Sequence, residues 1–111
     1  MALRGRVEKM EPAYVIEYEN GVLRVRFGRP AQNDEIVREA AAHLEKLIKG
    51  GVLTGGEIIR INGPASLPVA MTIAHAVSHL YSSVACYDPK LGKYVICISH
   101  SPKYKLGDLI D

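Results

Sequence analysis

Runs rich in β-formers flank the Asn20-Gly21 pair in "AYVIEYENGVLRVRF", residues 13–27, and predict a β-hairpin. Asn-Gly takes the positive backbone angles that a type I′ turn demands. Downstream the period lengthens. Ile36, Val37, Ala40, Ala41, Leu44, Leu47 and Ile48 share one stripe of "NDEIVREAAAHLEKLIKGG", which predicts a helix with one buried face and one wet face. Asn33 is its expected N-cap, Asp34 and Glu35 suit the first turn, Lys46 and Lys49 suit the last, and Gly50-Gly51 stops it.

The run "GEIIRI" predicts a strand, and "NGPASLPVAMTIAHAVSHLY" a turn followed by a second helix capped by Ser66, with Pro68 tolerated in its first turn. This helix is apolar on two sides: Leu67, Ala70, Met71, Ala74, Val77 and Tyr81 on one, Val69, Ile73, Ala76 and Leu80 on the other. Both sides need cover, and in so small a domain the second cover is a subunit interface. Two short strands, "SVACY" and "YVICIS", follow around "DPKLGK", and "KLGDLID" closes the chain. The order β-β-α-β-α-β-β gives an α/β layer with right-handed crossovers and parallel strands beside them. The "NGPAS" turn and Asp88 then emerge at the ligand-binding end of the sheet, and His79 and His100 at the opposite end.

A chain of 111 residues holds one domain, and with 48% hydrophobic and 23% charged residues it can build a packed core. A net charge of +2 excludes a strongly basic, delocalised nucleic-acid binder but permits a compact site for a few phosphates. Cys86 and Cys97 lie in apolar runs without metal-ligand spacing and read as reduced core thiols of a cytoplasmic protein. No apolar run is long enough to span a bilayer, so no membrane partner is expected. "MALRGRVEKMEP" lacks the apolar stretch of a signal peptide and reads as a charged, flexible leader over residues 1–12, ahead of a single domain over 13–111.

Several residues could carry chemistry. Gly63 and Pro64 form a turn at which backbone can approach a ligand, and the free N–H groups at the following helix start can receive a phosphate; the same turn also reads as plain loop punctuation. His75 and His79 are four apart and share a helix face with Thr72, but "HAVSH" lacks the glutamate of the zinc-protease motif and has no third ligand nearby. By spacing they read more readily as interface or core histidines, and His43 reads as solvated. Asp88 stands before Pro89, where an aspartate commonly caps a turn, and Lys90 at the turn tip reads as a solubilising charge. His100 and Ser101 could simply end a strand. Spacing alone leaves these alternatives open.

The stretch from "GPASL" through "HLYSSVACYDPKLGKYVICISHS" to "LGDLID" resembles the CRISPR ring nuclease 3 family. That pattern has a Gly-Pro turn, a helix ending in histidine, a Tyr-Asp-Pro-Arg-Leu-Gly hairpin, a Ser-His pair and a final Gly-Asp-Val-Ile-Asp. The resemblance covers residues 56–111, and the first half agrees only in element order. It implies a ferredoxin-like α/β (α+β) domain with one sheet and two helices, and a homodimer that assembles to a tetramer or filament around its ligand. It also implies cleavage of cyclic tetra-adenylate, the second messenger of type III CRISPR defence, and Mn2+-dependent attack on RNA 3′ tails.

By position, the family's functional histidine falls on His79, its aspartate on Asp88, its arginine on Lys90, and its Ser-His on Ser99 and His100. The resemblance thus implies His79, Asp88 and His100 as catalytic, Gly63, Pro64, Ser66, Lys90 and Ser99 as ligand-binding, and Asp88 and His79 as candidate ligands for Mn2+. Lys90 departs from the pattern, since lysine keeps the charge but loses the two-pronged grip of arginine on a phosphate. Three alternatives stand beside the ring nuclease: a cyclic-oligoadenylate sensor that does not cut, an Mn-dependent deadenylating exonuclease, and the dimerisation domain of a larger ATPase.

Overall fold

The computed structural model describes residues 11–111, so most of the expected leader lies outside the described residues. The elements run β1 (Tyr14–Glu19), β2 (Val22–Phe27), α1 (Asn33–Lys49), β3 (Gly56–Asn62), α2 (Leu67–Ser78), β4 (Tyr81–Asp88), β5 (Lys93–Ser99) and β6 (Leu109–Ile110). The strands form one six-stranded sheet in chain order. β2 and β3 pair parallel, as do β3 and β4, and every other neighbouring pair is antiparallel. The two crossovers carry α1 and α2 to one face, where they pack on each other. This is a single mixed α/β domain compatible with a ferredoxin-like arrangement. Its one addition to the expected order is β6, which the closing segment forms against Tyr94 and Val95.

The hairpin closes as the sequence predicts, with Asn20 at φ 50° and Gly21 at φ 82°. α1 buries Ile36, Ala40 and Leu44 and leaves Ala41 exposed. These residues meet Leu23, Val25, Ile59 and Val84 from the sheet and Val69, Ile73 and Val77 from α2 in the core. The expected cap of α1 is corrected. Gln32 is the N-cap, with no side-chain cap bond, and Asn33 is the first helical residue. The Asn33 side chain is used elsewhere: its Oδ1 accepts a 2.7 Å hydrogen bond from Ser66 Oγ, which ties the start of α1 to the start of α2.

The helix α2 is covered on one side only. Val69, Ile73 and Val77 are buried, whereas Leu67 is 76% and Met71 66% exposed. The two thiols also differ from the expectation of two core cysteines. Both are free, but Cys86 is half-buried and Cys97 exposed. The ladder between β4 and β5 shifts register at Val84/Ala85, pairing Val84 with Ile98 and Ala85 with Ile96, so the bulge leaves Cys97 without a partner opposite. Burial, with the neighbouring Cys97 second, pushes the Cys86 thiol up to about 12.

Gly63 fixes the approach of the turn before α2 to the sheet. Its φ is 139°, and a Cβ there would lie 1.8 Å from the Val25 carbonyl oxygen. Backbone cannot yield that distance without opening the β2–β3 end of the sheet. Gly63→Ala is therefore expected to lower stability by about 2–4 kcal/mol, combining backbone strain with overpacking, as read by urea denaturation. Unchanged stability would mean that the turn can move away from β2.

Candidate functional site

The turn at residues 62–66 is held from three sides. Tyr14, buried in β1, donates its hydroxyl to the Pro64 carbonyl at 2.6 Å, and burial pushes that phenol up to about 12. Gly63 lies against Val25, and Ser66 bonds Asn33. The start of β1 is fixed in turn by Glu39 of α1, whose Oε1 accepts from the backbone N–H of Ala13 and, at 3.1 Å, of Tyr14. Residues far apart in the chain thus position the turn. Ser66 also lines a groove of about 700 Å³ beside the start of α1, together with Phe27, Arg29 and Asn33. Neither helix has a side-chain cap at its N-terminus, so first-turn N–H groups remain to receive an anion.

The parallel pairing of β3 and β4 brings the "NGPAS" turn and the β4–β5 hairpin to one end of the sheet. Asn62, Gly63, Pro64, Tyr87 and Pro89 line a shared pocket of about 390 Å³ there. Asp88 closes the hairpin: its Oδ1 accepts from the backbone N–H of Lys90 at 2.8 Å and of Leu91 at 3.3 Å. The carboxylate does the capping work that its place before Pro89 suggests. Lys90 is exposed at the tip.

His79 is the C-cap of α2, exposed, with its ring T-shaped against His75 at a centroid distance of 4.6 Å. His100 is exposed just past β5, and its backbone N–H donates to Ser82 in β4 at 2.8 Å. Both histidines therefore stand at the end of the sheet opposite Asp88. Ser99, beside His100, spends its hydroxyl on local structure, 2.6 Å from the Tyr104 carbonyl, while accepting from Ser83 Oγ at 3.3 Å. From Ser82 to Asp88 is six residues of strand, roughly 20 Å at about 3.3 Å per residue. One chain places His79 and His100 at one end of the sheet and the turn and Asp88 at the other.

A family model described as CRISPR-associated protein (Cas_csx3) matches residues 33–111, which takes in α1, β3, α2 and the whole of β4 to β6. The chain belongs to this CRISPR-associated family. No curated protein and no solved structure matches it. The β1–β2 hairpin lies outside the matched span, although Tyr14 and Val25 within it hold the turn of this Cas_csx3 domain in place.

Metal binding was expected at Asp88 and His79, which lie at opposite ends of β4. Among the described residues, no three His, Cys, Asp or Glu side chains gather as a metal site. Within one chain Asp88 and His79 do not come together to hold one ion. No helix among the described residues is long and apolar enough to cross a membrane.

Sequence reasoning missed one group at the hairpin end. Asn62 Nδ2 donates to the Tyr94 hydroxyl at 3.1 Å, Tyr87 packs edge-on against Tyr94 at 5.1 Å, and the Arg60 guanidinium lies over the Tyr94 ring at 5.7 Å. Strand alternation carries the only signal for it, since these side chains share the sheet face away from the helices. Nothing in one strand says which residues of the next lie beside it.

Replacing Asp88 by Ala removes the acceptor for two turn N–H groups and is expected to cost about 1 kcal/mol in denaturant melts, while Asp88→Asn, which keeps a side-chain oxygen, loses less than half of that. Equal losses would show that charge rather than the cap holds the turn.

Proposed function

We propose that this protein is a ring nuclease of the CRISPR ring nuclease 3 type, acting in the cytoplasm. It cleaves cyclic tetra-adenylate to linear oligoadenylates and so turns down type III CRISPR signalling. One observation carries the reading: in a chain of a CRISPR-associated family, His79 and His100 stand at one end of β4, and the 62–66 turn with Asp88 and Lys90 at the other. The separation, roughly 20 Å along the strand, exceeds the reach of one scissile phosphate, so a site using both ends draws on two subunits.

In this reading one dimer cradles ring phosphates at its 62–66 turns, with Lys90 supplying positive charge. The facing dimer brings its histidines to the bond that breaks. A ribose 2′-hydroxyl attacks the adjacent phosphorus in line as the bond to the 5′-oxygen breaks. One histidine takes the hydroxyl proton, and the other returns a proton to the departing 5′-oxygen. Imidazole suits both tasks because its ordinary pKa, about 6.5, lies near working pH. Asp88 holds the hairpin that carries Lys90. A manganese ion held by Asp88 and His79 together would need them from different chains, and no step here depends on one. The exposed Leu67 and Met71 of α2 supply the dimer contact.

The sensor reading is favoured by a different observation: the Asp88 carboxylate, expected to be catalytic, is engaged in holding its own turn. Turnover decides between the two. His79→Ala and His100→Ala are each expected to slow ring opening by about 10²- to 10⁴-fold with binding kept within a few-fold, as followed by chromatography of labelled cyclic tetra-adenylate. Mixing His100→Ala with a Lys90→Ala variant should restore part of the rate, because hybrid assemblies regain one complete site. Rates unaffected by either change would overturn the histidine assignment, and wild-type protein that binds the ring without opening it would end the nuclease reading.

The dimer contact has its own test. Leu67→Glu with Met71→Glu should convert dimers to monomers in light scattering, remove the concentration dependence of the melting temperature and leave the circular dichroism spectrum unchanged, since neither side chain is buried within one chain. A dimer that survives both changes uses another surface.

A further inference from the structure

We infer that the pocket between the Asn62–Pro64 turn and the β4–β5 hairpin receives one adenine base of the ligand, with Tyr87 as its stacking face and Asn62 as the group that reads its edge. This rests on the cyclic-nucleotide reading above and assigns its base recognition.

The pocket, about 390 Å³, is ample for one base. Its lining suits a flat heterocycle: the Tyr87 ring, the rims of Pro64 and Pro89, the bare backbone of Gly63, and a single side-chain amide, Asn62. Tyr87 is 37% exposed, so its ring is open to a partner and not spent on the core. Tyr94 holds it from the side at 5.1 Å with the rings 64° apart. Tyr94 is itself fixed by the Asn62 hydrogen bond at 3.1 Å and by Arg60, whose Nε donates to the Asp111 backbone carbonyl at 2.8 Å. Preorganised aromatic faces of this kind stack bases at little entropic cost.

The amide chemistry selects the base. The bond to Tyr94 uses one N–H of Asn62, and the amide keeps a second N–H and Oδ1 as the donor and acceptor for a base. Adenine offers the complement, an amino group beside a ring nitrogen, whereas a base carrying a carbonyl at that carbon sets acceptor against acceptor. Position agrees with this: Asn62 adjoins Gly63 of the phosphate-binding turn, and Pro89 lies between Asp88 and Lys90. A base seated here keeps its own phosphate within reach of both.

The test measures dissociation constants, without Mn2+ and with ring integrity checked, for cyclic tetra-adenylate and cyclic tetra-inosinate, in which a carbonyl replaces the adenine amino group and N1 carries a hydrogen. Wild-type protein should prefer the adenylate ring roughly five- to a hundredfold. Asn62→Ala should bring that ratio close to one. Tyr87→Ala should weaken both rings alike by roughly five- to a hundredfold, and Tyr87→Phe, which keeps the stacking face, should bind as wild type. A preference that survives Asn62→Ala, or full affinity in Tyr87→Ala, overturns the assignment and leaves the ring-nucleotide reading standing. Wild-type protein that binds neither ring overturns both, and that result needs no variant.

Discussion

The parallel pairing of β3 with β4 is the constraint on which the rest depends. Parallel neighbours point their C-terminal ends the same way, so the turn after Asn62 and the hairpin after Asp88 must share one end of the sheet. β5 then returns antiparallel to β4, and its end carries His100 back to the level of Ser82, where α2 has delivered His79. The division of the chemically interesting side chains into two distant groups follows from strand direction alone. No rotamer change could undo it, because the strand between them is hydrogen-bonded on both sides.

Precision at the turn end comes from outside the turn. Gly63 lets it lie against Val25, the Tyr14 hydroxyl holds Pro64, and Asn33 holds Ser66. The hairpin opposite is built from its own residues, through the Asp88 carboxylate. One wall of the pocket is therefore set by tertiary contacts and the other by local ones. The Arg60–Tyr94–Asn62 group sits between them and couples the walls through side chains of β3 and β5.

The same polar groups appear in more than one capacity. Asp88, Ser66 and Ser99 all have local partners, so their presence in a motif reports first on how the backbone is held. His79, His100 and Lys90 are exposed, and their side chains stay available for a ligand or another subunit. The same holds for the bare stripe of α2: Leu67 and Met71 gain nothing from burial in a single chain, and apolar surface of this kind is stabilised by association.

Much of the fold was legible because its signals are local. The Asn20-Gly21 turn, the stripe of α1 through Ile36, Ala40 and Leu44, the Ser66 start of α2 and the strands around Asp88 each depend on neighbours within a turn or a few residues. Element order then set strand direction, and with it the end of the sheet at which each candidate residue lies. What the sequence could not decide involves contacts between distant residues. Asn33 looks like a cap but bonds Ser66, and Cys97 sits in an apolar run but a bulge turns it out. Asn62, Tyr87, Tyr94 and Arg60 become a group only when β3, β4 and β5 are laid in register. Periodicity specifies which face a side chain occupies, but lateral register is set by the packing of the whole sheet, and only the tertiary structure fixes which residues meet across it.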